Sequence, residues 1–185
     1  KNCKVDFSDD EWSSMSGAML RMEALPSMRC VQMAGPALER CNVGIFNCAY
    51  TALDTVEAFA ELLYILMQGT GCSFSVEDRY ISKLPKVKKQ RRKAAAKYVV
   101  PDTTEGWCDA LKLGMYTWIG GSDISFDYSI IRPAGSILRT KGGRSAGPQP
   151  LKDLLDFTRR VILSKQGKKL STLDCHDIAC YVGYI

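Results

Sequence analysis

Three strings that carry glycine or cysteine contain the residues of this sequence that could do chemistry. They are FNCAY at 46–50, LMQGTGCSFSVE at 66–77 and RPAGSILRTKGGRSAGP at 132–148. Glycine lets a backbone turn sharply and approach a ligand closely, and arginine forks bind phosphate oxygens in pairs. The third string places four glycines among four basic side chains, and a helical pattern begins just after it, near Pro150. It is therefore a candidate loop for a nucleotide phosphate, although any one such string alone is more typical of a surface turn.

Cys48 is a candidate for thiol chemistry. It lies in VGIFNCAYTAL, residues 43–53, which we predict to be a buried strand. A reacting thiol must be held rigidly, and a strand can do this. A cysteine on a strand is more often a small buried hydrophobe, so the pattern by itself leaves both interpretations open.

Cys175, His176 and Cys180 raise the question of a metal site. Three potential ligands within six residues, with no second Cys/His pair nearby in sequence, are too few for a closed tetrahedral zinc site. We therefore expect no metal. His176 is the one histidine of the chain, and we expect it inside a helix rather than in a Ser–His or Cys–His pair.

Residues 83–97 form a local basic stretch with eight basic side chains and no acid. Stretches that bind nucleic acid usually interleave aromatic side chains for base stacking, and here Tyr98 alone lies at the edge. We therefore expect a solvated loop or irregular helix and no nucleic acid as a partner. The alternative is a non-enzymatic nucleotide- or nucleic-acid-binding module that uses residues 83–97.

Size and composition are those of an ordinary globular domain. The chain has 185 residues, 46% of them apolar and 24% charged. No apolar run approaches the roughly 18 residues of a membrane helix, so we expect no membrane partner. Eight cysteines without a secretory leader favour a reduced, cytoplasmic protein. The chain begins without methionine and ends in an apolar run, so we expect a piece of a longer protein.

Helix and strand patterns are mixed along the chain, which predicts an α/β or α+β class. CSFSV, 72–76, is typical of a short strand, and Asp54 or Thr55 is the predicted cap of the helix that follows 43–53. A capping box at Ser171 and Asp174 predicts the start of the last helix. The other predicted helices are 11–25, 56–67, 104–119 and 150–166.

Together these strings resemble the catalytic chain of the adenosylcobalamin-dependent (class II) ribonucleotide reductases, from about Pro26 to Ile185. The matching strings are AGPALER, FNCAY, AFAELLYILMQGTGCSFSVE, EGWCDAL, FDYSIIRPAGSILRTKGGRSAGPQPL and KKLSTLDCHDIACYVG. The resemblance implies that residues 1–42 are a helical segment and that residues 43–185 begin the family's ten-stranded α/β barrel. It also implies the reduction of ribonucleotides to 2′-deoxyribonucleotides by thiyl-radical chemistry for DNA synthesis. Adenosylcobalamin is the implied cofactor and a thioredoxin-like protein the implied reductant.

The resemblance also implies roles for single residues. Cys48 matches one of two thiols that reduce the substrate and become a disulfide. The positions that line the ribonucleotide match Asn47, Cys48 and Gly71. The residues that match the site of a deoxynucleoside triphosphate effector are Asp54, Arg132, Arg139, Gly142 and Gly143.

The chain departs from the family pattern in two ways. Cys72 and Ser73 stand where smaller or apolar residues are usual. The chain also ends before the radical-bearing cysteine and the shuttle cysteines, so we expect most of the cobalamin surface to be absent and this piece alone to be inactive. The resemblance leaves open whether the substrate is a diphosphate or a triphosphate.

Overall fold

The computed structural model describes residues 6–91, 96–138 and 142–185. Helices and strands alternate through the middle of the chain, as the predicted α/β class requires. The elements, in chain order, are α1 Asp9–Leu20, α2 Met28–Met33, α3 Pro36–Arg40, a 3₁₀ turn Asn42–Ile45, β1 Cys48–Ala52, α4 Val56–Met67, β2 Gly71–Ser75, α5 Asp78–Ile81, β3 Ala96–Val99, α6 Thr104–Ile119, β4 Ile124–Asp127, α7 Gln149–Ser164 and α8 Thr172–Tyr184.

The four strands form two parallel pairs. β1 pairs with β2, with Cys48 opposite Gly71 and Ala52 opposite Ser75. β3 pairs with β4, with Ala96 opposite Ile124 and Val99 opposite Asp127. Parallel neighbours need a crossover connection, and α4 and α6 supply it. Within the described ranges the strands make two two-stranded sheets, so the ten-stranded barrel stays a prediction.

The core lies between four helices, α4, α6, α7 and α8. Each helix turns an apolar stripe inward at spacings of three and four residues, as the sequence pattern predicts. α4 and α6 run in opposite directions, since Tyr116 near the end of α6 donates a hydrogen bond to Glu57 at the start of α4. The largest fully buried core side chains on these helices are Phe59, Leu62, Leu63, Leu111, Met115, Trp118, Leu151, Leu154, Leu155 and Ile162.

Side-chain caps define the starts of three of these helices. The Thr55 hydroxyl accepts from the Ala58 N–H at 3.2 Å, and the Thr103 hydroxyl accepts from the Gly106 N–H at 2.9 Å. Ser171 and Asp174 form a capping box at the start of α8. The predicted cap at Thr55 and the predicted capping box are therefore confirmed, because a cap depends only on residues three positions apart.

Two predicted elements differ from the structure. The helix predicted over 11–25 is shorter, Asp9–Leu20, and buries none of its side chains. The strand predicted over 43–53 begins only at Cys48, since residues 42–45 form a 3₁₀ turn. The hydroxyl of Thr70 lies 2.8 Å from the Phe46 carbonyl oxygen and 3.2 Å from that of Val43. These contacts hold the segment before Cys48 outside the strand ladder.

The basic stretch is more ordered than a solvated loop. Residues 85–91 have no regular structure, yet both backbone groups of Val87 are paired. Its N–H donates to the Lys168 carbonyl at 2.9 Å, and its carbonyl accepts from the Gly167 N–H at 2.8 Å. Lys97 belongs to β3, a strand that the sequence pattern did not predict, while residues 92–95 lie outside the described ranges. The prediction of a loop or irregular helix is therefore wrong for Lys97.

Candidate functional site

Asn47, Cys48 and Gly71 meet where β1 and β2 begin. The Gly71 N–H donates to the Asn47 carbonyl oxygen at 3.0 Å, and Cys48 stands opposite Gly71 in the parallel register. A Cβ built on Gly71 would lie 3.6 Å from the Asn47 oxygen, which is an ordinary van der Waals distance. The bare backbone of Gly71 therefore leaves open space beside Cys48. The three residues predicted to line the substrate lie together.

The pleat of the sheet decides which way Cys48 faces. Side chains alternate between the two faces of a strand, so Cys48 and Gly71 share one face while Ala49 and Cys72 share the other. Cys48 is exposed, so its predicted burial is wrong. β1 carries helices on one face, and the face of Cys48 is open. Cys72 packs against the helical core, and burial raises the pKa of its thiol.

Thr70 positions this cluster, and sequence reasoning missed it. Its side chain is 1% exposed, and its hydroxyl bonds to the carbonyl of Phe46, directly before Asn47. The backbone bond from Gly71 then fixes Asn47 itself. The available signal was a threonine between two glycines in QGTG, immediately before Gly71. Thr70 therefore joins the two strings FNCAY and GTGCSF.

The glycine-rich loop after β4 is a short antiparallel hairpin. Ile137 and Arg144 form a β-bridge, and the Ser145 N–H donates to the Ser136 carbonyl at 2.8 Å. Gly142 and Gly143 have φ values of 75° and 84°, in the left-handed region that glycine adopts without strain. Arg139 lies outside the described residues, so its predicted phosphate role stays a prediction.

A cavity of about 570 Å³ opens between this hairpin, the end of α4 and the start of α6. Arg40, Arg132 and Arg144 line it from three separate segments. The start of α6 adds the positive end of a helix dipole, and the carboxylates of Asp102 and Glu105 lie in the same lining. Of the three arginines, only Arg132 was predicted as an effector residue. Arg144 was visible in the same glycine-rich string, whereas nothing near Arg40 indicated a site.

The arginines of the cavity are oriented by hydrogen bonds. Arg132 Nε donates to Asp102 Oδ2 at 2.6 Å, and Arg144 Nη1 donates to the Gly135 carbonyl at 2.9 Å. Both side chains are thus held by part of their donor set. A guanidinium has five N–H donors, so each of these two arginines can also bind phosphate oxygens. Three guanidinium groups therefore face two carboxylates, those of Asp102 and Glu105, and the remaining N–H donors of Arg132 and Arg144 are the groups that can bind phosphate oxygens.

Asp54 lies apart from Arg132. Its carboxylate forms an ion pair with Lys83 at 3.0 Å, directly before α4. Met67 and Gln68, at the other end of α4, line the cavity that contains Arg132. A helix of 12 residues is about 18 Å long, so the structure does not bring these two predicted effector residues together. The effector role of Asp54 stays a prediction.

The histidine of the chain lies on the surface. His176 is exposed on α8, with Nε2 3.5 Å from the sulfur of Cys180 and Nδ1 3.4 Å from Asp177 Oδ1. The expectation that His176 lies inside a helix is confirmed, since α8 spans Thr172–Tyr184, and α8 turns the neighbouring Cys175 rather than His176 towards the core. Burial raises the pKa of the Cys175 thiol to about 12.

The described ranges contain no group of three or more His, Cys, Asp or Glu side chains arranged to hold a metal ion. The seven cysteines within them form no disulfide with one another. Of the helices in these parts of the chain, none combines the length and apolarity that a membrane crossing needs.

Carboxylates engage part of the basic stretch, residues 83–97. Lys83 pairs with Asp54, and Lys97 pairs with Asp127 at 2.7 Å. The second pair, with hydrogen bonds from Ser129, lowers the pKa of Asp127 to about 2. Two of the eight basic side chains are therefore already engaged by carboxylates.

Comparison with known proteins gives a consistent result. No family model matches the chain. It is 32% identical over 174 residues to the adenosylcobalamin-dependent ribonucleoside-triphosphate reductase of Euglena gracilis, over 89% of the chain and 24% of that protein. It is 28% identical over 177 residues to the enzyme of the same name from Lactobacillus gasseri, over 73% of the chain and 24% of that protein.

The fold leads to the same relatives. A solved structure of a B12-dependent (class II) ribonucleotide reductase matches with a TM-score of 0.81 and 23% identity, over 96% of this chain and 34% of that one. At this identity the structural match shows the fold, while the sequence matches show the kinship. The chain spans about a quarter of the length of the curated relatives it matches. The chain therefore belongs to the adenosylcobalamin-dependent ribonucleotide reductases, of which it forms one part.

Proposed function

We propose that the complete protein reduces ribonucleoside triphosphates to 2′-deoxyribonucleotides for DNA synthesis, and that this chain supplies one reducing thiol and a nucleotide-binding loop. The observation that carries the proposal is the exposed Cys48 beside the bare backbone of Gly71 and next to Asn47. The relatives are named triphosphate reductases, which favours a triphosphate substrate over a diphosphate.

Cys48 acts as one of two reducing thiols. The ribose 2′ C–O bond breaks and a C–H bond forms in its place. The two thiols supply two electrons and two protons, one hydrogen going to C2′ and one leaving with the hydroxyl as water, and they join as a disulfide. A thioredoxin-like protein in the cytoplasm then returns the disulfide to two thiols.

Neither Cys72 nor Cys180 is the second thiol. Cys72 lies on the opposite face of the β1–β2 sheet from Cys48. Cys180 contacts His176, and the His176 ring lies 5.9 Å from Phe74, which is on that same opposite face. We therefore expect the second thiol from a segment that completes the barrel over the face of Cys48. Without that segment this chain should be inactive alone.

The described residues do not fit adenosylcobalamin. The arginine cavity combines three guanidinium groups with two carboxylates and a few apolar side chains, a lining that suits a small charged ligand rather than a large macrocycle. The cofactor belongs to the proposal through the relatives' names and supplies radical generation in the complete enzyme. We place its binding surface outside these residues.

The arginine cavity holds a deoxynucleoside triphosphate effector in this proposal. Arg132, together with Arg139 in the same loop, binds the phosphates, and Gly142 and Gly143 let the hairpin turn tightly around them. The clustering of Arg40, Arg132 and Arg144 around one cavity supports this assignment. Asp54, at the far end of α4, is the least supported member of the proposed effector set.

Two single cysteine variants, at positions on opposite faces of the same sheet, test the proposal. In the complete enzyme, Cys48→Ser should abolish multiple turnover with a thioredoxin reductant, while deoxynucleotide effector binding stays at the wild-type level. Cys72→Ser is the matched control, because it changes a thiol on the opposite face of the same two strands. It should retain turnover. Wild-type turnover by the Cys48→Ser enzyme would end the proposal.

A further inference from the structure

Gln68 is a buried residue whose amide oxygen has no partner. The residue is 5% exposed, it lines the arginine cavity, and its Oε1 makes no hydrogen bond. Its backbone is held in place, since Arg29 donates to the Gln68 carbonyl at 3.1 Å. Buried polar atoms nearly always have a partner. The unsatisfied amide therefore points to a ligand that completes its hydrogen bonds.

The lining of the cavity contains two chemically different kinds of group beside Gln68. Arg132 and Arg144 supply positive charge, partly balanced by Asp102 and Glu105. Met33, Met67 and Trp107 supply apolar and aromatic surface. A nucleotide has the same two ends. Its phosphates match the guanidinium groups, and its base offers a flat face to apolar and aromatic side chains and a donor–acceptor edge to an amide.

We propose that Gln68 recognises the nucleobase of the deoxynucleotide whose phosphates are bound at Arg132 and Arg144. Gln68 is thus a specificity-determining residue of the effector site, and this inference rests on the proposed function. The terminal torsion of a glutamine side chain is broad, so a small rotation presents Oε1 and Nε2 to a base in the cavity. An amide pairs well with the adjacent amine and ring nitrogen of adenine.

The first test compares a probe that has a base with one that has none. In the complete enzyme, Gln68→Met keeps the length of the side chain and removes its hydrogen bonds. It should weaken binding of dATP by about 10-fold, the value expected for one or two hydrogen bonds. Binding of inorganic triphosphate should not change. Unchanged dATP affinity, or an equal loss for both probes, would overturn the inference.

Thr158→Val is the matched control. Thr158 is fully buried on α7, its Oγ1 also has no partner, and it does not line the cavity. Removal of that hydroxyl should leave binding of both probes as in the wild type. A dATP loss in Thr158→Val as large as in Gln68→Met would mean that the effect is structural, and the inference would fall.

The wild-type enzyme supplies a second test that needs no variant. N6,N6-dimethyl-dATP lacks the amine hydrogens that would reach Oε1, and it should bind about 10-fold more weakly than dATP. Equal affinities would overturn the inference even if Gln68→Met does not fold. If the wild type binds neither dATP nor inorganic triphosphate, the proposed effector site itself is wrong. If it binds both and Gln68→Met binds dATP equally well, only the role of Gln68 is wrong.

Discussion

The Gly71 N–H donates to the Asn47 carbonyl oxygen at 3.0 Å, across the start of two parallel strands. This bond joins two sequence strings that are more than 20 residues apart and places Cys48 beside a residue without a side chain. The result is an exposed thiol on a rigid strand with open space next to it. A rigid support and free access are both needed for a thiol that must react with a substrate.

Gly71→Ala should hinder access of the substrate to Cys48 while leaving the stability of the fold unchanged. A Cβ at this position would meet the Asn47 oxygen at 3.6 Å, so the fold should accept it with little change in the free energy of unfolding. The methyl group would, however, fill space beside Cys48. We expect a raised KM for the ribonucleotide in the complete enzyme with an unchanged melting temperature. A large loss of stability with a normal KM would contradict the role assigned to Gly71.

Thr70→Val should destabilise the protein. Valine has nearly the same shape but lacks the hydroxyl that bonds to the Phe46 carbonyl inside the protein. Leaving a buried group without its partner costs about 1–3 kcal/mol. Thr158→Val removes a buried hydroxyl that has no partner, so it should be neutral or slightly stabilising. Denaturant titrations of the two variants provide the comparison, and equal effects would show that the Thr70 hydroxyl does not support the site.

Arg132→Ala should weaken effector binding in the complete enzyme. Loss of a charged hydrogen bond costs about 1.5–3 kcal/mol, which is roughly 10- to 150-fold in affinity. The same range is expected for Arg139→Ala. Arg160→Ala removes the same charge from α7, outside the arginine cavity, and serves as the control. Titration with a labelled deoxynucleoside triphosphate measures all three. Equal binding by Arg132→Ala and Arg160→Ala would remove Arg132 from the effector site.

The ionisation of Asp123 should make part of the free energy of unfolding depend on pH. Its carboxylate accepts from Arg159 and from Trp118 Nε1, and Arg159 is the main cause of its lowered pKa. A carboxyl group whose pKa is lower in the folded state stabilises the fold at pH values above its unfolded pKa, which is 3.8 here. That stabilisation is lost as the pH falls through the folded pKa.

Asp123→Asn should therefore cost about 1–2 kcal/mol at pH 7, a modest value because the Arg159 side chain is 40% exposed. The difference from the wild type should shrink as the pH falls below about 4. Denaturant titrations at pH 7 and pH 3.5 measure it. A difference that is the same at both values would mean that the charge of Asp123 does not contribute.

The local features of the fold could be predicted from the sequence. The cap at Thr55, the capping box at Ser171 and Asp174 and the buried stripes of α4 and α7 all depend on residues three or four positions apart, and all are confirmed. The matching strings also indicated the reductase family, which the comparisons confirm. Such information is present in the order of residues along the chain, because neighbours in sequence are neighbours in a helix.

The tertiary structure alone decided which distant residues meet. β3 and β4 are four residues each, too short for an alternating pattern to reveal, and they exist because they pair with each other. Cys48 is exposed because the helices cover only the other face of its sheet, a fact that no pattern within residues 43–53 contains. Arg40, Gln68 and Arg144 share one cavity because α3, the end of α4 and the hairpin lie around it. Strand pairing and cavities arise from contacts between segments far apart in sequence, so residue spacing cannot determine them.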